Sequence, residues 1–112
     1  MLRKGLLVSL LIISLGIVGC SNKSNEESDA IEDKAIAINE KGQELYNNKC
    51  ANCHGLNLEG IVGPTLVTTG SIYNEEELLD IILNGIEKTT MPGGLLEGEE
   101  AETLAQWLAE KK

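Results

Sequence analysis

Cys50, Cys53 and His54 fall within five consecutive positions, inside the run KCANCHG from Lys49 to Gly55, and they include the only histidine and two of the three cysteines of the chain. Reactive side chains this scarce and this crowded must be used together, so they constrain the fold more than any other feature. The order C-x-x-C-H, placed at the end of a helical stretch, reads as a c-type haem attachment site. Two thiols three positions apart add across the two vinyl groups of one porphyrin. The imidazole that follows then lies beneath the iron, where neutral nitrogen is a good axial ligand. Two rivals are weaker. A thioredoxin-like redox pair belongs in a βαβ setting, which this sequence lacks. A structural zinc site needs four ligands, and beyond Cys20 the chain offers three Cys and His side chains.

A haem with two axial ligands needs a partner opposite His54, and no second histidine exists. Once an N-terminal leader is removed, Met91 is the single methionine, 37 residues beyond His54 and followed by Pro92. A lone loop methionine otherwise fills gaps or sits at the surface. Here the demand for a soft second ligand favours coordination of the iron, and all three cysteines then have a use.

The first 19 residues read as a leader rather than as part of a fold. Arg3 and Lys4 precede an apolar run from Leu6 to Val18, and its 13 residues fall short of the roughly 20 needed to span a bilayer. The run ends in IVGC, which resembles the lipobox of bacterial lipoproteins, with Ile17 where leucine is commoner. On that resemblance Cys20 is acylated and becomes the mature N-terminus, and two or three acyl chains hold a protein at a membrane where one holds it only marginally. The plain alternative is a cleaved signal with an incidental cysteine. Residues 20–35 are then an acylated cysteine and a flexible tether, because Ser, Asn and Glu dominate after Cys20 and bury too little surface to offset ordering. Some 15 such residues would span roughly 20 Å.

Residues 36–112 remain for one domain, with no Phe and only Tyr46, Tyr73 and Trp107 as rings. Domains this small usually need a metal, a staple or another added core. Three helices are expected. One covers Glu40 to Lys49 with Asn39 as N-cap. A second starts after Asn74, with Glu77 completing a capping box and Gly85 ending it. A third covers Glu99 to Lys111, with Ala101, Leu104, Ala105 and Leu108 as its buried stripe and a lysine pair suited to the dipole. PTLVTT has strand character but no second run to pair with. The expectation is an all-α domain whose two long loops wrap one haem, with Leu66, Leu78, Ile82, Leu95 and Leu104 against the ring.

CANCHG, GPTL and MPGG, in that order between terminal helices, resemble class I cytochromes c over nearly all of residues 38 to 112. With the lipobox and tether added, the chain is similar to the small lipid-anchored cytochromes c of Gram-positive bacteria. The resemblance implies the class I cytochrome c fold, haem c held by Cys50 and Cys53, and axial ligation by His54 and Met91. It also implies that the Pro64 carbonyl accepts the Nδ1–H of His54 and that Leu66 packs on the haem. Taken alone, Pro64 and Leu66 read as a turn residue and a core leucine. Gly42, Tyr46 and Trp107 would form the crossing of the first and last helices. The implied role is an electron carrier on the outer face of the cytoplasmic membrane, between a quinol–cytochrome c reductase and a cytochrome c oxidase.

The formal charge of −9 becomes −11 when Arg3 and Lys4 leave with the leader, which disfavours nucleic acid or anionic lipid as partners. Residues 51–70 nevertheless carry only Glu59, and residues 89–96 carry no charge. If these loops surround the haem edge, as in the family, the docking face is apolar and nearly neutral. A monomer is expected. Two other functions were weighed. A haem peroxidase or nitrite reductase needs a vacant iron position and nearby acid–base groups, and a haem sensor needs ligand exchange, for which Lys88 is the nearby candidate. If haem supplies the missing core, the apoprotein is largely unfolded. Far-ultraviolet circular dichroism on haem-free chain should show little helix, and a native-like helical spectrum would contradict this.

Overall fold

The computed structural model describes the backbone of residues 25–112 and the side chains from Ala30 onward. The leader, Cys20 and the first residues of the expected tether lie outside the described residues. Five helices follow in order: α1 (Asn25–Lys49), α2 (Ala51–His54), α3 (Thr69–Ile72), α4 (Glu75–Asn84) and α5 (Gly98–Ala109). No strand occurs among the described residues, so the architecture is all-α. Most of PTLVTT is loop, and only its final threonine belongs to the short α3.

Local chemistry explains α4 closely. The Asn74 side chain accepts from the Glu77 N–H at 3.0 Å, and the Glu77 carboxylate accepts from the Asn74 N–H at 2.9 Å. Three glutamates occupy the first turn, where the helix dipole favours them. The helix stops at Gly85, whose N–H donates to the Ile81 carbonyl at 2.8 Å with φ of 72°. A β-carbon there would lie 2.6 Å from the Met91 carbonyl oxygen, so only glycine suits both the turn and the close approach.

The terminal helices cross at Gly42, where a β-carbon would collide with the Trp107 side chain. Trp107 and Tyr46 are almost fully buried there, with ring centroids 5.4 Å apart and planes tilted by 39°. Both polar ends are satisfied: the Trp107 indole N–H donates to Asn39 Oδ1 at 2.9 Å, and the Tyr46 hydroxyl donates to the Gly55 carbonyl. Burial, the largest cause, pushes the Tyr46 phenol up to about 12. The Ala101, Leu104, Ala105 and Leu108 stripe of α5 is buried as its spacing predicts, and α4 adds Leu78 and Ile82 from the other side.

Three expectations differ from the structure. α1 begins at Asn25, well inside the segment expected to be a flexible tether, so Asn39 is an interior helix residue that serves Trp107 rather than an N-cap. Residues 30–37 are all exposed, so packing does not order this part. Once the packed turns around Gly42 to Tyr46 are formed, extending the helix costs no new nucleation, and Glu, Ala and Lys are good helix formers. At the other end α5 stops at Ala109, short of the lysine pair. Lys111 instead places its ammonium 3.8 Å from the Trp107 ring centroid, a cation–π contact in place of a dipole contact. Partial desolvation there lowers its pKa. Finally, Leu95 is 40% exposed while its neighbour Leu96 is 4% exposed, so Leu96 is the core residue of that loop.

Gly42→Ala tests the crossing. Overpacking of this kind costs about 1–3 kcal/mol, against a helix-propensity gain of ~1 kcal/mol for alanine. A net loss of stability is expected in guanidinium unfolding of the haem-loaded protein, and an unchanged midpoint would refute the close packing.

Candidate functional site

The site is built where α1 ends. Cys50 precedes α2, Cys53 lies within it and His54 closes it, so one helical turn presents all three side chains. The Cys50 and His54 N–H groups donate back to the Tyr46 and Cys50 carbonyls at 2.8 and 3.0 Å, which fixes this turn to the buried Tyr46. The two cysteines are not joined to each other in a disulfide. Burial pushes the Cys50 thiol up to about 11, with the neighbouring Cys53 a lesser cause. A redox-active C-x-x-C pair needs the opposite, an acidified thiol, so the microenvironment disfavours the thioredoxin-like reading.

After α2 the chain folds back on the same turn. The Gly60 N–H donates to the His54 carbonyl at 2.6 Å and the Gly63 N–H to the Cys53 carbonyl at 2.8 Å. The return passes so close that a β-carbon at Gly63 would lie 2.7 Å from His54 Cε1. It delivers the Pro64 carbonyl to His54 Nδ1 at 2.8 Å. A carbonyl only accepts, so Nδ1 carries a proton in this contact and Nε2 is the ring nitrogen left for a ligand bond. His54 itself is buried.

Two adjoining clefts meet at His54. One, about 680 Å³ counted to its open mouth, is lined by Cys50, His54, Pro64, Leu66 and Met91 together with aliphatic side chains of α4 and α5. The other, about 600 Å³, is lined by Cys53, His54, Val62, Pro64 and Met91. His54, Pro64, Ile86 and Met91 belong to both, so the two are halves of one slot. Its walls are aliphatic, and its few polar groups are a neutral imidazole, two thiols, threonines and the Tyr73 ring. That donor set suits a flat apolar macrocycle held by sulfur and ligated by nitrogen.

All of the expected site residues within the described part therefore meet at one slot: Cys50, Cys53, His54, Pro64, Leu66 and Met91. Cys20 lies outside the described residues. Of the expected ring contacts, Leu66, Leu78, Ile82 and Leu104 line the slot and Leu95 does not. Sequence reasoning missed Thr69, Tyr73, Ile81 and Leu108 as slot residues. Ile81 and Leu108 stood on recognised apolar helix faces, whereas Thr69 and Tyr73 gave no local signal, because the fold of the long loop brings them in.

Comparison with known proteins agrees with this geometry. Residues 37–108 match the family described as cytochrome c oxidase, cbb3-type, subunit III. Cytochrome c-551 of Bacillus subtilis is 40% identical over 108 residues, covering 96% of this chain and 91% of that one. Cytochrome c-550 of the same organism is 32% identical over 94 residues, covering 84% and 70%. The menaquinol:cytochrome c reductase cytochrome c subunit of Geobacillus thermodenitrificans is 36% identical over 81 residues, 71% of this chain and 31% of that protein. With a C-x-x-C-H turn opening onto an aliphatic slot and relatives of this closeness, the chain belongs to the cytochrome c family matched at residues 37–108, its cofactor is covalently bound haem c, and its work is electron transfer.

Proposed function

We propose that the chain is a lipid-anchored electron carrier that passes single electrons between a quinol-oxidising complex and a terminal oxidase at the outer face of the cytoplasmic membrane. One observation carries the site assignment: His54 and Met91, the only imidazole and the only thioether in the described residues, line the same aliphatic slot. In this reading Cys50 and Cys53 hold haem through thioethers, His54 Nε2 and Met91 Sδ are the axial ligands, and Pro64 and Leu66 shape the pocket. When bound, haem iron supplies the one-electron chemistry by alternating between its ferric and ferrous states. The chain's part is to keep that cycle simple. The Pro64 carbonyl holds the imidazole in one tautomer and raises its basicity. Leu66, Leu78, Ile82 and Leu104 exclude water from the slot. Two protein ligands leave no position for a substrate, which favours a carrier over a haem enzyme or sensor.

The route of the electrons is argued from the surface. Leu56, Ile61 and Val62 are 68%, 69% and 73% exposed, and they follow the exposed Cys53 on the loop that carries only Glu59. Exposed apolar side chains gathered beside a cofactor slot mark an interaction surface, and the acidic groups lie mainly on the helices. The Geobacillus relative, named as a menaquinol:cytochrome c reductase subunit, supports a quinol-oxidising complex as donor, and the family description supports an oxidase as acceptor. For the anchor, the support is the lipobox-like IVGC alone. Among the described residues no helix is long and apolar enough to cross a membrane. The helical start of α1 at Asn25 leaves only four residues between Cys20 and the helix, a shorter tether than composition suggests.

Two measurements test the reading. The intact mass of the mature protein should equal the chain from Cys20 with haem and acyl groups added, and pigment that leaves in acidic acetone would refute thioether attachment. Turnover with a quinol-oxidising complex should depend weakly on ionic strength, since the contact face carries little charge. A steep fall in turnover as salt rises would overturn the apolar docking face.

A further inference from the structure

The loop that carries Met91 is held by a closed set of bonds centred on one side chain. Thr89 donates through its N–H to the Ile86 carbonyl at 3.2 Å and through its hydroxyl to the same oxygen at 2.7 Å. That hydroxyl oxygen then accepts the Met91 N–H at 3.2 Å. The Met91 carbonyl accepts the Ile86 N–H, also at 3.2 Å. Both backbone groups of Met91 are thus tied to the residue pair Ile86 and Thr89, and Ile86 lies two residues beyond the end of α4, after Gly85. Lys88 closes the intervening turn with φ of 61°, a left-handed conformation that a lysine adopts only at a cost. The tie to Ile86 extends rigidly from the helix, since the Gly85 N–H still bonds the Ile81 carbonyl and the Gly94 N–H returns to the Ile82 carbonyl.

We propose that Thr89 is a positioning residue whose hydroxyl sets the Met91 backbone relative to α4 and so holds the thioether on the iron side of the slot. The inference rests on the reading of Met91 as the second axial ligand. Thr89 also borders the second cleft, and neither composition nor spacing gives any sign of its bonding role. The hydroxyl bridges both sides of the loop, taking one bond from Met91 and giving one to Ile86, beside the direct backbone bond from Ile86 to Met91. Thr89 is exposed, so a variant lacking the hydroxyl finds water for the orphaned groups and the fold survives. What it loses is the direction of the loop. A flexible loop lets an external ligand compete with the thioether, because the tied conformation no longer opposes its departure.

The test uses the full haem-loaded protein and three variants, Thr89→Val, Thr89→Ala and Thr89→Ser. Imidazole is titrated against the ferric protein, and the far-red methionine-to-iron charge-transfer band is recorded before addition. Loss of one hydrogen bond from the methionine-bound state corresponds to roughly three- to tenfold tighter imidazole binding. Valine and alanine should both show this and a weakened band, with circular dichroism unchanged, and serine should restore wild-type affinity within about twofold. Valine and alanine variants that bind imidazole as the wild type does, with the band intact, would overturn the proposal while leaving Met91 ligation standing. A serine variant as weak as the other two would assign the effect to the methyl group and equally overturn it. A wild-type protein without the band would remove Met91 ligation itself, and this proposal with it.

Discussion

The contact between His54 Nδ1 and the Pro64 carbonyl is the interaction on which the rest of the site depends. It can form only if the loop after α2 turns back across the helix that bears both cysteines, and the backbone bonds of Gly60 and Gly63 to His54 and Cys53 accomplish that return. The same contact decides which imidazole nitrogen keeps a free lone pair. One hydrogen bond therefore links a loop path, a protonation state and the direction in which the slot offers a ligand. Replacing Gly63 by any larger residue would press on the ring, which shows how little tolerance the return has.

The frame that keeps this turn in place is aromatic and lies on the opposite side. Tyr46 packs on Trp107 and reaches the Gly55 carbonyl, so the crossing of α1 and α5 is wired to the first residue beyond the histidine. Trp107 is held in turn by Asn39 and covered by Lys111. In a chain with only three aromatic rings, two are spent on this crossing, and the slot is left with aliphatic walls and the single ring of Tyr73. This division accounts for the thin protein core. The helix crossing is densely packed by protein side chains, whereas the side facing α4 is completed by a cofactor.

α1 and the Met91 loop represent two ways of holding a functional group at a distance. Residues 30–37 of α1 stand exposed and are ordered by helix propagation from a packed end, so they extend the domain without adding to its core. The Met91 loop is short, and its shape comes from the bonds of the Thr89 hydroxyl and from backbone bonds to Ile86 and to Ile82 in the last turn of α4. The first is a spacer and the second a brace. Their acidic and uncharged compositions follow, since a solvated helix tolerates charge and a loop beside an apolar slot does not.

Much of the site was legible in the residues themselves. C-x-x-C-H carries its chemistry in its spacing, the lone histidine and the single methionine of the described residues leave few choices for a ligand pair, and the Asn74 to Glu77 cap is a local exchange of bonds that needs no tertiary partner. The stripe of α5 was equally plain, because a period of 3.6 residues reports a face directly. The errors lie where a neighbour far along the chain decides. Asn39 looked like a cap and is a partner for Trp107, 68 residues away. Leu95 and Leu96 are adjacent and alike, and only the path of an irregular loop determines which one turns inward. Thr69 and Tyr73 reach the slot because a long loop folds over it. Sequence alone determined the chemistry and the helices, since both are written in short-range patterns. Tertiary structure decided which loop residues meet them, since irregular backbone has no period from which a facing side can be read.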